Sequence, residues 1–287
     1  MSTIENPKLV KLIGIDYVDV DSHDLSFLTK EDEVIMVDFS FPLDKMLKIK
    51  DSTKSFVWID HHKTSLDACK DLVLEGLQVD GISGCELTYM YFKMNLKDSS
   101  YVKEQAKDLL SKIRIKCPIV YWLGRYDVWD KSQSNWSFMS KLQLGLRTMD
   151  LDPSIPEALE WWFKKGFLCD DLDILKYCEA GIEVSKYLSV NNKKYIKDYG
   201  YKASIIGFEE LSSFALNTGN KGSGQFGSLI EEYDVCIRFV FNGEKFDISF
   251  YSQKDNVDCS VIAKTYGGGG HKGAAGCVIS DIPFEKI

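Results

Sequence analysis

Two short apolar runs that each end in an aspartate constrain this chain more than any other feature. They are Glu33-Val34-Ile35-Met36-Val37-Asp38 and Ser55-Phe56-Val57-Trp58-Ile59-Asp60. Both have strand length, and the continuous apolar character of the first predicts a strand buried on both faces. An earlier β-branched stretch, Val10 to Tyr17, reads as a further strand. Helical patterns follow over Leu66–Leu74, Gly84–Met94 and Tyr101–Lys112, ahead of an apolar, strand-like run from Cys117 to Leu123. Strands alternating with helices predict an α/β fold with a parallel sheet. Acids at the ends of successive strands lie where such sheets place their sites, beyond the carboxyl ends of the strands.

The texture then changes. Residues Pro156 to Asn191 read as helical, and the polar stretch Asn191-Asn192-Lys193-Lys194 is a candidate hinge. Beyond it, Lys202–Phe208, Val235–Phe241 and Lys245–Tyr251 read as strands, and Asn242-Gly243 between the last two is a hairpin signal. The expected organisation is an N-terminal parallel-sheet domain with a helical connector over residues 1–190, then a smaller α+β domain over 196–287.

Composition narrows the partners. With 45% hydrophobic and 13% aromatic residues the chain can build real cores. A net charge of −8 argues against a broad basic surface for long duplex nucleic acid, though short oligonucleotides or mononucleotides need only a few local cations. Eight scattered cysteines contain no Cys-x-x-Cys pair, so they read as mostly buried free thiols in a reducing compartment. The first residues lack an apolar signal core, and no apolar run approaches the roughly 20 residues a membrane helix needs. A soluble, cytoplasmic protein with no membrane partner is expected.

Three of the four histidines fall in two motifs, Asp60-His61-His62 and Gly267-Gly268-Gly269-Gly270-His271. An acid and two imidazoles at a strand end form a metal-ligand arrangement; the plain alternative is a surface aspartate beside two solvated histidines. Asp38 strengthens the first reading, because two carboxylates and an imidazole suit Mn²⁺, Fe²⁺ or Zn²⁺. Asp127, after the apolar run near 120, is a third acid candidate, with a turn or helix-cap role as its alternative. Four consecutive glycines are costly in backbone entropy, which favours a surface that a phosphate approaches closely over a mere linker. The following Ala274-Ala275-Gly276 is expected to open a closely packed helix whose N-terminus faces an anion. The loop Asn217–Gly224 either contacts a nucleotide or simply connects elements. Arg125, Arg147 and Arg238 are phosphate-contact candidates.

Taken together, in this order, the motifs resemble those of the DHH phosphoesterase superfamily, and the C-terminal part resembles the DHH-associated domain with its Gly-Gly-Gly-His motif. The resemblance runs over nearly the whole chain, through Val37-Asp38-Phe39-Ser40, Asp60-His61-His62, Asp127 and Ser252–Gly276. It looks most like the branch of nanoRNases and cyclic-nucleotide or cyclic-dinucleotide phosphodiesterases. The resemblance implies a manganese-dependent hydrolase with two metals in the family. It implies that Asp38 bridges the metals, that His61 and Asp127 complete one shell, that Asp60 supports that shell, and that His62 faces the scissile phosphate. His271 with Gly268, Gly269 and Gly270 would hold the substrate's phosphate or terminal nucleotide, with Asn217 and Arg125 as further substrate contacts.

One part of the family pattern has no counterpart. The first motif, an Asp-x-Asp at a strand end, belongs upstream of the strand that Val10–Tyr17 matches. The nearby Asp19-Val20-Asp21 with His23 is a superficial look-alike in an acidic loop. The ligand set Asp38, His61 and Asp127 would then hold one metal rather than two. Three expectations follow. The chain is a metal-dependent phosphodiesterase that hydrolyses short oligonucleotides or cyclic (di)nucleotides to nucleoside monophosphates. Alternatively it is a catalytically reduced relative that binds nucleotides as a sensor or sequestering protein. Thirdly, a partner chain supplies the missing strand and the protein is a homodimer.

Overall fold

A computed structural model describes residues 11–15, 20, 22–131 and 135–287. The protein is α/β, with an N-terminal three-stranded parallel sheet, a helical middle and a C-terminal mixed sheet. Its contacts divide it into two compact units. The first holds the described residues up to His61 together with Leu72–Gly181, and the second holds His62–Asp71 and Ile182–Ile287.

In the first unit the sheet order is β1 (Glu33–Val37), β2 (Ser55–Asp60), β3 (Glu75–Gln78), with α1 (Leu43–Ser52) between β1 and β2. Both pairings are parallel, with Val37 opposite Ile59 and Ile59 opposite Leu77. The central strand β2 is the buried one: Phe56, Trp58, Ile59 and Asp60 are all buried. Strand β1 departs from its expected burial. Only Met36 is buried along it, while Ile35 and Val37 are exposed, because β1 forms one edge of the described three-stranded order. The strand expected over 10–17 is not seen where it can be followed: residues 11–15 have no regular secondary structure, and 10, 16 and 17 lie outside the described residues. Asp19 and Asp21 lie outside them as well.

After β2 the chain forms α2 (Lys63–Ala68), which groups with the second unit. The helices α3 (Gly84–Lys93), α4 (Ser99–Glu104), α5 (Ala106–Lys116), α6 (Pro118–Asp127), α7 (Trp136–Leu146) and α8 (Pro156–Lys164) build the first unit's helical part. The run from Cys117 to Leu123 is therefore helix and not strand. Pro118 opens α6 at a position where its missing N–H has no partner to lose. Ile119, Val120, Tyr121 and Trp122 are all buried, so the run is apolar on every side, and periodicity alone does not separate such a helix from a buried strand. The core joins Ile59 and Leu77 of the sheet to Leu87, Met90, Ile113, Ile119, Leu142 and Ile174 of the helices.

The long helix α9 (Asp171–Tyr199) runs straight through Asn191–Lys194, so the polar stretch is helix and not hinge. Its first half meets α7 backbone to backbone. A Cβ on Gly145 would come within 1.8 Å of the Tyr177 carbonyl oxygen, and one on Gly181 within 1.8 Å of that of Lys141.

The second unit's sheet has the order β10 (Phe284–Lys286), β4 (Gly200–Ile205), β5 (Ser213–Asn217), β6 (Val235–Phe241), β7 (Phe246–Tyr251), β9 (Ala274–Ile279), β8 (Gly269–His271). All pairs are antiparallel except β5–β6. The β6–β7 hairpin turns at Asn242, whose side-chain oxygen accepts from the N–H groups of Glu244 (3.0 Å) and Lys245 (2.9 Å), and Gly243 takes φ 105°. Alternation along β6 sends Val235, Ile237 and Phe239 to a core that includes α10 (Cys259–Thr265), and Cys236 to a second cluster with Phe214, Leu216, Phe226 and Ile230. The segment Ala274-Ala275-Gly276 is strand rather than the expected helix start: it fills β9 between β7 and β8. Among the described residues no helix is long and apolar enough to cross a membrane.

The glycine contact between α7 and α9 generates a prediction. Gly181→Ala should destabilise the protein by about 1–3 kcal/mol through overpacking against backbone that has no room to move. Thermal unfolding checks this, and an unchanged midpoint would show that the two helices yield at no cost.

Candidate metal centre

In the first unit, two of the three residues expected to bind metal converge on an atom of the third. His61 follows the last residue of β2, and its side chain is 1% exposed. Its Nε2 lies 3.0 Å from Asp38 Oδ1 and 3.3 Å from Asp127 Oδ2. The two carboxylates are about half exposed, so the imidazole is sunk in protein while the acids face outward. A ring nitrogen carries at most one hydrogen. Two carboxylates gathered on one nitrogen are thus a donor set with an excess of acceptors, which suits a divalent cation of the borderline kind that accepts both carboxylate and imidazole, such as Mn²⁺.

Each of these side chains has a local cause for its place. Asp38 follows β1 with φ 57°, a left-handed conformation that Asp tolerates better than most residues. Its N–H still bonds the Ile59 carbonyl at 2.9 Å, which ties the turn to the sheet. Gly84, the first residue of α3, packs directly on the Asp38 side chain: a Cβ there would stand 2.4 Å from Oδ1. Asp60 is fully buried, and it braces the loop. Its Oδ2 accepts from the Ser40 hydroxyl at 2.5 Å and its Oδ1 from the His61 N–H at 2.7 Å, while Ser40 accepts from the Trp58 indole at 2.9 Å.

Asp127 closes α6, and a buried ion pair ties that helix to α3. Arg125, 5% exposed, donates from Nε to Glu86 Oε1 at 2.9 Å and from Nη2 to Glu86 Oε2. Glu86, fully buried, also accepts from the Ser83 N–H at 3.1 Å as the distal half of a capping box on α3. Burial penalises the Arg125 cation, but the hydrogen bonds and charge of Glu86 outweigh that penalty and hold its pKa above the ordinary arginine value. The guanidinium expected on a substrate phosphate is thus turned into the frame, joining α3 to α6. Sequence reading missed Glu86 and Gly84. The pattern Ser83-x-x-Glu86 before an apolar run carried the signal for the first; nothing local marked the second.

The second unit gathers the other motif. His62 precedes α2, and its ring stacks on that of His271 with centroids 5.0 Å apart and planes at 27°. The glycine run has two kinds of member. A Cβ on Gly268 would strike the Gly276 carbonyl oxygen at 2.0 Å, and one on Gly270 would strike Ala275 Cα at 2.7 Å, so strand packing accounts for both. A Cβ on Gly269 would meet only ordinary contacts with Thr64, the nearest at 3.6 Å. Asn217 ends β5, exposed, at the start of the polar loop. Arg238, 2% exposed, serves that loop: it donates to the carbonyls of Thr218 (3.1 Å) and Gly219 (3.3 Å) and pairs with Asp247 at 2.8 Å. Arg147 is exposed at the end of α7.

No family model matches the chain. It is 24% identical to an uncharacterized protein of Acanthamoeba polyphaga mimivirus, over 94% of this chain and 60% of that one, so it spans about three fifths of that relative's length. Among solved structures it is similar to an uncharacterized protein from Helicobacter pylori G27, with 13% identity, 94% and 83% of the two chains covered and a TM-score of 0.34. It is also similar to PggH, a pGpG-specific phosphodiesterase from Vibrio cholerae, with 12% identity, 84% of each chain and a TM-score of 0.36. An exopolyphosphatase-related protein from Bacteroides fragilis gives 16% identity, 86% and 66% coverage and a TM-score of 0.42.

The Arg125–Glu86 pair yields a second prediction. Arg125→Met leaves Glu86 buried without its counter-ion and should cost about 3–5 kcal/mol of stability. Chemical denaturation reads this; a loss well under that range would mean that Glu86 escapes to solvent and that the pair does not frame Asp127.

Proposed function

We propose that the protein is a metal-dependent phosphodiesterase that hydrolyses short oligonucleotides or cyclic (di)nucleotides to nucleoside monophosphates. The observation that carries this reading is the convergence of Asp38 and Asp127 on the buried Nε2 of His61. These are the residues that the motif resemblance assigns to metal. Asp38, His61 and Asp127 would hold the cation, with Mn²⁺ as the expected ion. A divalent cation in such a site polarises the phosphoryl group, lowers the pKa of water and neutralises charge in the transition state.

The protein's own residues do the rest. Asp60 fixes the backbone of His61 through its N–H and so presents the imidazole in one orientation. Gly84 leaves room for the Asp38 carboxylate and for nothing larger beside it. In the second unit, His62 and His271 present stacked imidazoles, and in the strand Gly269–His271 Gly269 presents backbone with only ordinary contacts beside it. That combination binds the phosphate and sugar of a nucleotide, with His62 as the group nearest the reacting phosphate in this reading. Asn217 is a further substrate contact.

The test is hydrolysis of the dinucleotide pApA with Mn²⁺, followed by chromatography of released AMP. Turnover that falls by more than about a hundredfold in Asp127→Ala is expected, since removal of one preorganised electrostatic group in an active site has effects of that order. Wild type that binds pApA without cleaving it would replace the enzyme reading by that of a nucleotide-binding relative.

A further inference from the structure

Helix α6 does not stop at Asp127 in an ordinary way. The N–H of Asp130 bonds back to the Arg125 carbonyl at 3.0 Å, and that of Trp129 to the Tyr126 carbonyl at 3.1 Å. This is a Schellman ending, and it places Trp129 in the left-handed position with φ 55°. Glycine is the usual occupant there, because a Cβ clashes with the following carbonyl, and a bulky side chain at positive φ is an outlier. Backbone preference therefore argues against a tryptophan at 129.

Core packing does not supply the reason either. Tyr126 and Trp136 pack against the first unit's core, with their rings stacked at 5.1 Å and 14°. Trp129 lies against Trp136 instead, at 5.7 Å and 42°, half-buried. The Lys131 ammonium stands over both indoles, 5.1 Å from the centre of Trp129 and 5.6 Å from that of Trp136. An unfavourable backbone conformation thus holds a large aromatic surface and a cation two residues after a carboxylate of the candidate metal centre. Strained conformations of this kind cluster at ligand sites.

We propose that Trp129, with Trp136 and Lys131, forms a shelf on which a nucleobase of the substrate stacks while its phosphate lies at Asp127. The inference rests on the phosphodiesterase reading for the identity of the ligand. Asp127 and Trp129 are two residues apart in the turn that ends α6, so their Cα atoms stand at most about 7 Å apart. Indole faces accept any base, because stacking uses the π-face that all bases share. The ammonium over the rings adds attraction for an anionic nucleotide. The shelf therefore binds purine and pyrimidine nucleotides alike, and it discriminates against phosphates that lack a base.

Calorimetry on the full chain with Mn²⁺, titrating AMP and ribose 5-phosphate separately, tests this. Wild type should bind AMP more tightly than ribose 5-phosphate. Trp129→Gly, which relieves the backbone and so keeps the fold, should lose about tenfold in AMP affinity, as expected for one lost stacking contact. Its affinity for ribose 5-phosphate and for Mn²⁺ should not change, and Trp129→Phe should retain most of the AMP affinity. Trp129→Gly that binds AMP like wild type, or that loses both ligands equally, would overturn the shelf. Base discrimination that persists in a wild type without Mn²⁺ binding would sustain the shelf and remove the phosphodiesterase reading.

Discussion

Two carboxylates from different elements meet one buried imidazole nitrogen, and much of the first unit is arranged around that meeting. A single ring nitrogen offers at most one donor to share between Asp38 and Asp127. A divalent cation suits the same arrangement. The parallel pairing of β1 with β2 brings Asp38 beside His61, and the buried Arg125–Glu86 pair ties the helix that carries Asp127 to α3. The buried polar groups Asp60, Glu86 and Arg125 hold the elements that carry these three side chains in place.

How much of this was legible depends on the range of the interaction involved. The places of Asp38, Asp60 and His61 at or just past the ends of two short strands are legible in the sequence, because strand ends are read from neighbouring residues. The run before Asp127 reads as strand and is helix. Ile119 to Trp122 are buried on every side, and such a run looks the same in a sheet and in a helix bundle. The continuation of the glycine run, Ala274-Ala275-Gly276, reads as a helix start and is strand. Strand β9 is set by its neighbours β7 and β8, which the local sequence Ala-Ala-Gly does not reveal. Glu86 and Gly84 went unseen for the same reason, since their partners are 39 residues away in one case and on β1's far end in the other.

The arginines show the limit most clearly. From sequence, Arg125 and Arg238 are cations near candidate sites. In the structure both are buried and committed, one to Glu86 and the other to loop carbonyls and Asp247. Their burial makes them frame elements: a guanidinium offers several donors in a fixed plane, which suits a crossing point where carbonyls and a carboxylate need partners at once. Trp129 is the opposite case, a residue that no motif marked and that its own backbone disfavours.

The central claim is that Asp38, His61 and Asp127 form a cation site. Titration of Mn²⁺ into the metal-free protein by calorimetry, with wild type and Asp38→Asn side by side, tests it most directly. The account predicts saturable binding in wild type and its loss in Asp38→Asn, with the two proteins melting alike in the absence of metal. Equal Mn²⁺ affinity in both would contradict it, because the cation would then be held elsewhere and the convergence on His61 would be a hydrogen-bonded cluster alone.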